Sequence, residues 1–395
     1  MTTTVIVLDG EQRAALAVTR SLGQHGLRVI VCSAVEQPIA GASRWCRRAY
    51  RVPDVSIDAN ALVLELKKIA SDENVAIVFP VSDASLTTLL HEPEIAGVRI
   101  AGPDLQTYMA VSNKASLVQR AATLGVPVPR SIRVRTREEF AESLSEWTGP
   151  VVIKPALSRF LSDGRIRRTS VVLAGSPESA HSMLDRLDWI DSIPCVLQEF
   201  IPGHGAGVFT VYSNGGPLAW FAHRRIREKP PSGGVSVLCE SAPLDDELRA
   251  YSRQLLDDVG WLGPAMVEFR IDNKGRPWLM EINGRFWGSL QLSIDSGLDI
   301  PWMWYRILSG DSPMPTYDYR TGRRLRWLLG DLDSLYLTFR DPTTSFGQRA
   351  RALGRFLNFF SPRTRFDVLR LSDPKPFFRE SGAWLRAAFS HRAQP

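Results

Sequence analysis

Two short apolar segments about two thirds of the way along the chain carry acids where a buried strand would hold hydrocarbon. The first reads Met266-Val267-Glu268-Phe269-Arg270-Ile271 and the second Trp278-Leu279-Met280-Glu281-Ile282-Asn283-Gly284-Arg285. Between them lies the turn-forming run Asp272-Asn273-Lys274-Gly275-Arg276. Side chains alternate faces along a strand, so Glu281, Asn283 and Arg285 share one face if the strand runs on. Val267 and Met280 are expected to point inward. A hairpin through this turn brings Glu268 beside Glu281. Two carboxylates and an amide oxygen are hard ligands, and they suit Mg²⁺ held between a protein and nucleotide phosphates. Arg285 then meets a phosphoryl oxygen or a carboxylate.

Three other segments have the types for related chemistry. Val151-Val152-Ile153-Lys154-Pro155 ends an apolar strand in a lysine. An ammonium buried without a partner is costly, so Lys154 reads as a phosphate ligand at a cleft. Val196-Leu197-Gln198-Glu199-Phe200-Ile201-Pro202-Gly203 ends a strand in polar residues and a turn, which could meet a purine edge. In Ala222-His223-Arg224-Arg225-Ile226-Arg227, the residues His223, Arg225 and Arg227 are expected to form a cationic stripe on one strand face. That stripe suits a carboxylate or an acyl phosphate.

These side chains need a scaffold, and the composition allows one. The chain has 395 residues, 44% hydrophobic and 23% charged, which is ordinary for a folded protein of two or three domains. No apolar run has the length of a membrane span, and the first ten residues lack the basic start of a secretory signal, so a cytoplasmic address is expected. Cys32, Cys46, Cys195 and Cys239 have neither disulfide nor zinc spacing and read as small buried hydrophobes. The net charge of +6 is uneven. From Arg320 onward there are 15 Lys and Arg against 6 Asp and Glu. That segment implies either an anionic partner or a solvated helical face.

The first hundred residues alternate strand and helix: Val5–Leu8, Gln12–Gly26, Leu27–Cys32, Ala61–Ala70, Val75–Val81 and Val98–Ala101. This is a small parallel α/β layer. A dinucleotide site is excluded by its first turn, Asp9-Gly10-Glu11-Gln12, which has one glycine and two acids where a pyrophosphate loop needs three glycines. A helix over about Asn113–Leu124 and the breakers Gly125-Val126-Pro127-Val128-Pro129 open a second, α+β domain with hairpins at 214–217 and 272–276. Expected boundaries are 1–111, 112–315 (small lobe about 125–195, large lobe about 196–315) and a basic, mainly helical extension over 316–395.

Asn113-Lys114 before a helix, GVPVP, VVIKP, QEFIPG and the Glu…Glu-Ile-Asn-Gly-Arg hairpin, in this order, resemble the ATP-grasp superfamily. The likeness is to its carboxylate–amine ligases, such as D-alanine–D-alanine ligase, and to carbamoyl phosphate synthetase. It covers about Met1 to Gly310. It implies ATP between two lobes, with Lys114 and Lys154 on the phosphates and Gln198 on the adenine amino group. The backbone of Glu199, Phe200 and Ile201 would read the ring, and His204 would lie near the ribose. Glu268, Glu281 and Asn283 would hold Mg²⁺, or Mn²⁺ in its place. Arg225 and Arg285 would serve the transferring phosphoryl group, and His223, Trp287, Gly288 and Ser289 would border the acceptor. The flap Ala156–Gly164 departs from the pattern, with one glycine. Either its closure is lost or basic side chains replace its backbone donors.

The function so implied is ATP-dependent joining of a carboxylate to an amine through an acyl phosphate, releasing ADP and phosphate. The alternatives are a carboxylase-type or thiol acceptor, and a nucleotide-binding regulator without turnover. Small-molecule substrates and a homodimer are the expected partners. Nucleic acid is disfavoured, because the basic residues form no recognisable module. Contact with anionic lipid through Ser345–Phe360 is the remaining partner reading, since Arg lies on one helical face and Leu and Phe on the other.

Overall fold

The computed structural model describes residues 2–92, 95, 97–162, 165–231, 233–358 and 363–390. Its first layer is a five-stranded parallel sheet in the order Cys46–Arg51, Arg28–Ser33, Thr4–Val7, Val75–Phe79, Arg99–Ile100. The central strands are continuous apolar runs because helices cover both faces. The edge strand Cys46–Arg51 has no such signature. It is mostly exposed and Arg-rich, as an unpaired edge is in many soluble proteins, and it gave no strand signal.

The acidic first turn has a structural use. The Asp9 carboxylate accepts hydrogen bonds from Val81 N (3.0 Å), Ser82 N (2.7 Å), Ser82 Oγ (2.9 Å) and Ser85 Oγ (2.7 Å). It ties the first strand's end to the start of the helix Asp83–His91, whose N-cap is Ser82. This helix went unread in the sequence. It carries Asp83 to the central cleft.

Next come two linking helices, Leu105–Ser112 and Lys114–Thr123, the second capped by the Asn113 side chain on Ala115 N and Ser116 N. The small lobe is a four-stranded antiparallel sheet ordered Val172–Ala174, Val151–Pro155, Cys195–Glu199, Ser131–Val134. Val151, Ile153, Cys195 and Leu197 face its own core. Lys154 pairs with Val196 and Gln198 with Val152. Directly opposed residues share a face, so Lys154 and Gln198 look out together from the other side. A separate hairpin, Arg159–Ser162 with Arg165–Arg168, forms the flap. Asp163 and Gly164 of its expected loop lie outside the described residues.

The large lobe is a seven-stranded sheet ordered Pro277–Asn283, Gly263–Asp272, Gly203–Ser213, Gly216–Lys229, Val235–Ser241, Arg324–Arg326, Thr364–Phe366. Helices Leu290–Ser296 and Ile300–Leu308 lie in one apolar core between this sheet and the first layer, with Trp287 and Trp304 almost fully buried. That shared core fixes the first layer against the hairpin. Gly284 is required at the hairpin's end: a Cβ there would sit 2.4 Å from the Trp261 ring.

The expected helical extension is present, and two short strands accompany its helices. The helices are Leu328–Arg340, Phe346–Leu357 and Lys375–Ser390, and the strands Arg324–Arg326 and Thr364–Phe366 extend the large sheet. The segment also grips the first layer: Arg20 donates to Asp373 Oδ2 at 3.0 Å and Asp367 O at 2.8 Å, and Arg13 pairs with Asp367 at 2.5 Å. Within it, Trp327 Nε1 donates to Glu380 Oε1 at 2.7 Å, while Glu380 Oε2 has no partner among the described residues. Burial pushes the Glu380 carboxyl up to about 7 from 4.5. The folded state therefore holds this proton more tightly than the unfolded chain, and stability falls as pH rises from about 4.5 to about 7. Glu380→Gln keeps the acceptor for Trp327 and removes that loss. We expect its melting temperature to exceed wild type by about 2 °C at pH 8 and to match it at pH 4.5. Parallel thermal scans check this, and an equal offset at both pH values would defeat it.

Candidate active site

Glu268 and Glu281 are direct partners across the hairpin strands. The register slips between Glu268 and Phe269, which pairs with Leu279, so Met280 is the extra residue of a β-bulge. Alternation breaks there. Met280 does not turn inward as expected; its carbonyl and sulfur lie 3.5 and 4.0 Å from Lys154 Nζ. Asn283 Nδ2 bridges the two acids, 3.2 Å from Glu268 Oε1 and 3.3 Å from Glu281 Oε1. Burial, and then the neighbouring Glu281, raise the Glu268 carboxyl above its usual range. Crowded carboxylates of this kind are relieved by a cation.

Two lysines approach from the opposite side. Lys114, 5% exposed, lies 3.6 Å from Glu281 Oε2 and donates to Ser158 Oγ at 2.8 Å. Its position is fixed by its own N–H, which bonds Ala156 O at 2.8 Å. Lys154, 9% exposed, has its ammonium pushed down to about 8 by burial and then by Lys114, against the pull of Glu281 and Glu268. A cavity of about 320 Å³ opens beside these groups, lined by Lys114, Ser158, Arg159, Phe160, Glu281 and Asn283 among others. Arg159 and Phe160 come from the flap, so a basic side chain stands where a glycine was absent.

The cationic stripe does not form as expected. Register slips on both sides of Arg227 in the pairing of Gly216–Lys229 with Val235–Ser241 separate the three residues. Arg225 reaches Glu268 Oε2 at 3.0 Å and Glu228 Oε1 at 3.1 Å. It crosses the intervening strand beside Gly205, where a Cβ would sit 3.8 Å from its Nη1. Burial disfavours the charge of Arg225, but Glu268 and Glu228 outweigh it. Arg227 turns to Asp331 of the C-terminal segment, with contacts of 2.7 and 2.6 Å. His223 is buried against Phe209 and meets Ser289 Oγ at 2.8 Å. Burial and then Arg225 press its imidazole down to about 3, so it is neutral at physiological pH.

Arg285 lies past the strand, which ends at Asn283. Its Nε donates to Asp83 Oδ2 at 2.8 Å, Nη2 to Asn283 Oδ1 at 3.2 Å, and Nη1 to Phe286 O at 2.9 Å. Burial opposes the charge on Asp83, yet Arg285 holds that carboxyl below its ordinary value. Asp83 escaped the sequence reading, although Ser82-Asp83 directly after a buried strand is a helix-start signal. Trp287 is 2% exposed and packs on Phe209 at 4.6 Å, so its ring belongs to the core. Gly288 lies against Arg13, 3.3 Å from a Cβ built there.

At the outer end, Gln198 is buried and its Nε2 donates to Ser131 Oγ at 3.0 Å. The strand stops at Glu199, short of Ile201. Glu199 N bonds Arg130 O at 2.9 Å, Ile201 O accepts from Arg270 Nε, and the Arg270 guanidinium covers the Phe200 ring. His204 is exposed on the next strand, opposite Ile271. Lys114, Glu268, Glu281, Asn283, Arg225 and Arg285 are thus connected through direct contacts, and Lys154 joins them through Met280, the neighbour of Glu281. Trp287 lies apart in the core.

Among the described residues no three His, Cys, Asp or Glu side chains gather as a metal site. The donor set is instead two carboxylates and, once the Asn283 amide turns Oδ1 rather than Nδ2 toward them, an amide oxygen. It fits a hard divalent cation that takes its remaining oxygens from a phosphate chain.

Residues 192–329 match a family described as ATP-grasp in the biosynthetic pathway with Ter operon. The uncharacterized protein y4rH of Sinorhizobium fredii is 26% identical over 271 residues, covering 63% of this chain and 52% of that protein. A formate-dependent phosphoribosylglycinamide formyltransferase of Parabacteroides distasonis is 27% identical over 157 residues, 40% of this chain and 38% of that one. The matched segments thus span about half or less of these relatives' own length. The structure of an L-amino acid ligase from Bacillus licheniformis superposes with a TM-score of 0.62 at 16% identity, over 82% of this chain and 78% of that one. The biotin carboxylase domain of a Hydrogenobacter thermophilus 2-oxoglutarate carboxylase, solved with MgADP and bicarbonate, gives 0.62 at 17% identity, over 82% and 73%. A parallel first layer, a small antiparallel lobe and a larger, mainly antiparallel lobe whose edge hairpin carries the paired acids give this chain the ATP-grasp fold.

Proposed function

We propose that the protein is an ATP-dependent ligase that joins a carboxylate to an amine through an acyl phosphate. The observation that carries this reading is the convergence of Glu268, Glu281 and Asn283 with Arg225 and Arg285 on one side and Lys114 and Lys154 on the other. Glu268, Glu281 and Asn283 would hold Mg²⁺, or Mn²⁺, which supplies charge neutralisation at the β- and γ-phosphates. A carboxylate is a poor electrophile, and its phosphorylation creates a leaving group that a neutral amine can displace. Phosphoryl transfer is governed by positioning and electrostatics, which these residues provide.

In this reading Lys154 and Lys114 bind the phosphates, and Gln198 with the segment Glu199–Ile201 meets the adenine. Arg225, which pairs with Glu268 at 3.0 Å, would hold the incoming carboxylate in line. Arg285 braces the transferring phosphoryl group. Arg159 and Phe160 of the flap shield the acyl phosphate from water.

A second reading, with bicarbonate as the carboxylate, is favoured by the carboxylase among the structural neighbours. ADP release with Mg²⁺ and ATP, measured across a matrix of carboxylates and amines with a bicarbonate arm, tests both. Release that requires one acid and one amine supports the ligase. Release with bicarbonate alone supports the second reading, and no release with any pair would defeat both.

A further inference from the structure

We propose that the helix Phe346–Leu357 docks the protein on an anionic lipid surface. The inference is independent of the reaction proposed above. Phe346, Ala350, Leu353 and Leu357 recur at the spacing of one helical face and form an apolar stripe. The stripe is not packed: Phe346 is 88% exposed, Leu353 39% and Leu357 56%, and no residue of the helix is buried. The helix is nonetheless held in place. Phe356 sits under the Arg326 guanidinium, its carbonyl accepts from Arg326 Nη2 at 2.6 Å, and Ser345 caps the start through a reciprocal bond with Gln348. A firmly seated helix with its apolar stripe in water needs an occupant for that stripe.

Charge selects the occupant. The helix contains Arg349, Arg351 and Arg355 and no acid. Arg351 donates only to Gly347 O, and neither Arg351 nor Arg355 has a carboxylate partner among the described residues. The helix packed beside it, Leu328–Arg340, ends in exposed Tyr336, Leu337 and Phe339, followed by Arg340. Cations flanking exposed aromatic and aliphatic side chains match the boundary between lipid headgroups and acyl chains. A nucleic acid would satisfy the arginines but leave the apolar stripe in water. A second copy would cover the stripe but bring the arginines of both helices together with no acid between them. No helix among the described residues is long and apolar enough to cross a membrane, so the contact is peripheral.

The test is sedimentation of the full chain with vesicles of phosphatidylcholine alone and of phosphatidylcholine mixed with phosphatidylglycerol, at low and high salt. The variants are F346S/L353S/L357S and R351E, neither of which alters a residue lining the cavity beside Arg225. Wild type is expected to sediment with the anionic vesicles only, and less at high salt as charges are screened. Each variant should bind roughly tenfold less, with its melting temperature unchanged. Equal sedimentation of wild type and both variants, or none by wild type, overturns the proposal. So does a lipid-free dimer, seen by analytical ultracentrifugation, that the serine variant abolishes.

Discussion

Glu281→Gln is expected to lower substrate-stimulated ADP release by about a thousandfold while leaving the fold intact. Glu281 is a third exposed and its carboxylate meets Lys114 and the amide of Asn283. Glutamine keeps the shape and one acceptor but removes the negative charge that would bind a divalent cation. With Glu268 alone, the metal keeps one carboxylate, and Arg225 already competes for it at 3.0 Å. Mn²⁺ affinity, read by electron paramagnetic resonance in the presence of ADP, should therefore fall with the rate. Nucleotide affinity without metal should change little, because the lysines remain. If Glu281→Gln retained activity within about tenfold of wild type, the hairpin could not be the metal site. A fall in rate with unchanged Mn²⁺ affinity would move the role of Glu281 from metal binding to positioning Lys114.

The paired acids were legible because alternation and turn chemistry are local. Asp272 to Arg276 forms a tight turn that brings the two acid-bearing strands together, and the bulge at Met280 completes the pairing of Glu268 with Glu281. Lys154 was legible because a charge at the end of an apolar strand has few uses. The failures came where the chain departs from regularity or where the partner is remote. A single extra residue at Met280 turned an inward side chain toward Lys154, and slips around Arg227 divided a stripe of three cations. No local pattern signals either bulge. Trp287 was assigned to the acceptor by its place in the motif, yet tertiary packing against Phe209 claims it. The strands Arg324–Arg326 and Thr364–Phe366 are three residues each, too short for periodicity, and they pair only because the large sheet offers an edge. Asp83 lies 202 residues from its partner, and no local rule could join them.

That long-range pair has the second large consequence. Arg285→Met should cost about a thousandfold in turnover with a smaller effect on nucleotide binding, since a guanidinium that braces the transferring group acts mainly in the transition state. Asp83→Asn tests how the arginine is held. It leaves the contacts of Arg285 to Phe286 O and Asn283 Oδ1, at 2.9 and 3.2 Å, but removes the only carboxylate that Arg285 bonds among the described residues. The freed guanidinium can then turn toward Glu281, which already attracts it. Asp83→Asn is therefore expected to reduce kcat by about tenfold with little change in KM for ATP, and Asp83→Glu to recover most of the loss. In the proposed reaction Asp83 would be a positioning residue, reaching in from the first layer, outside the proposed metal-ligand set. Two results would separate this from a merely structural role. Loss of thermal stability that tracks the loss of activity in both Asp83 variants would assign the pair to domain docking. An unchanged melting temperature with kcat reduced only in Asp83→Asn would mean that the first layer aims Arg285, and that its seating on the shared core around Trp304 is part of the catalytic geometry.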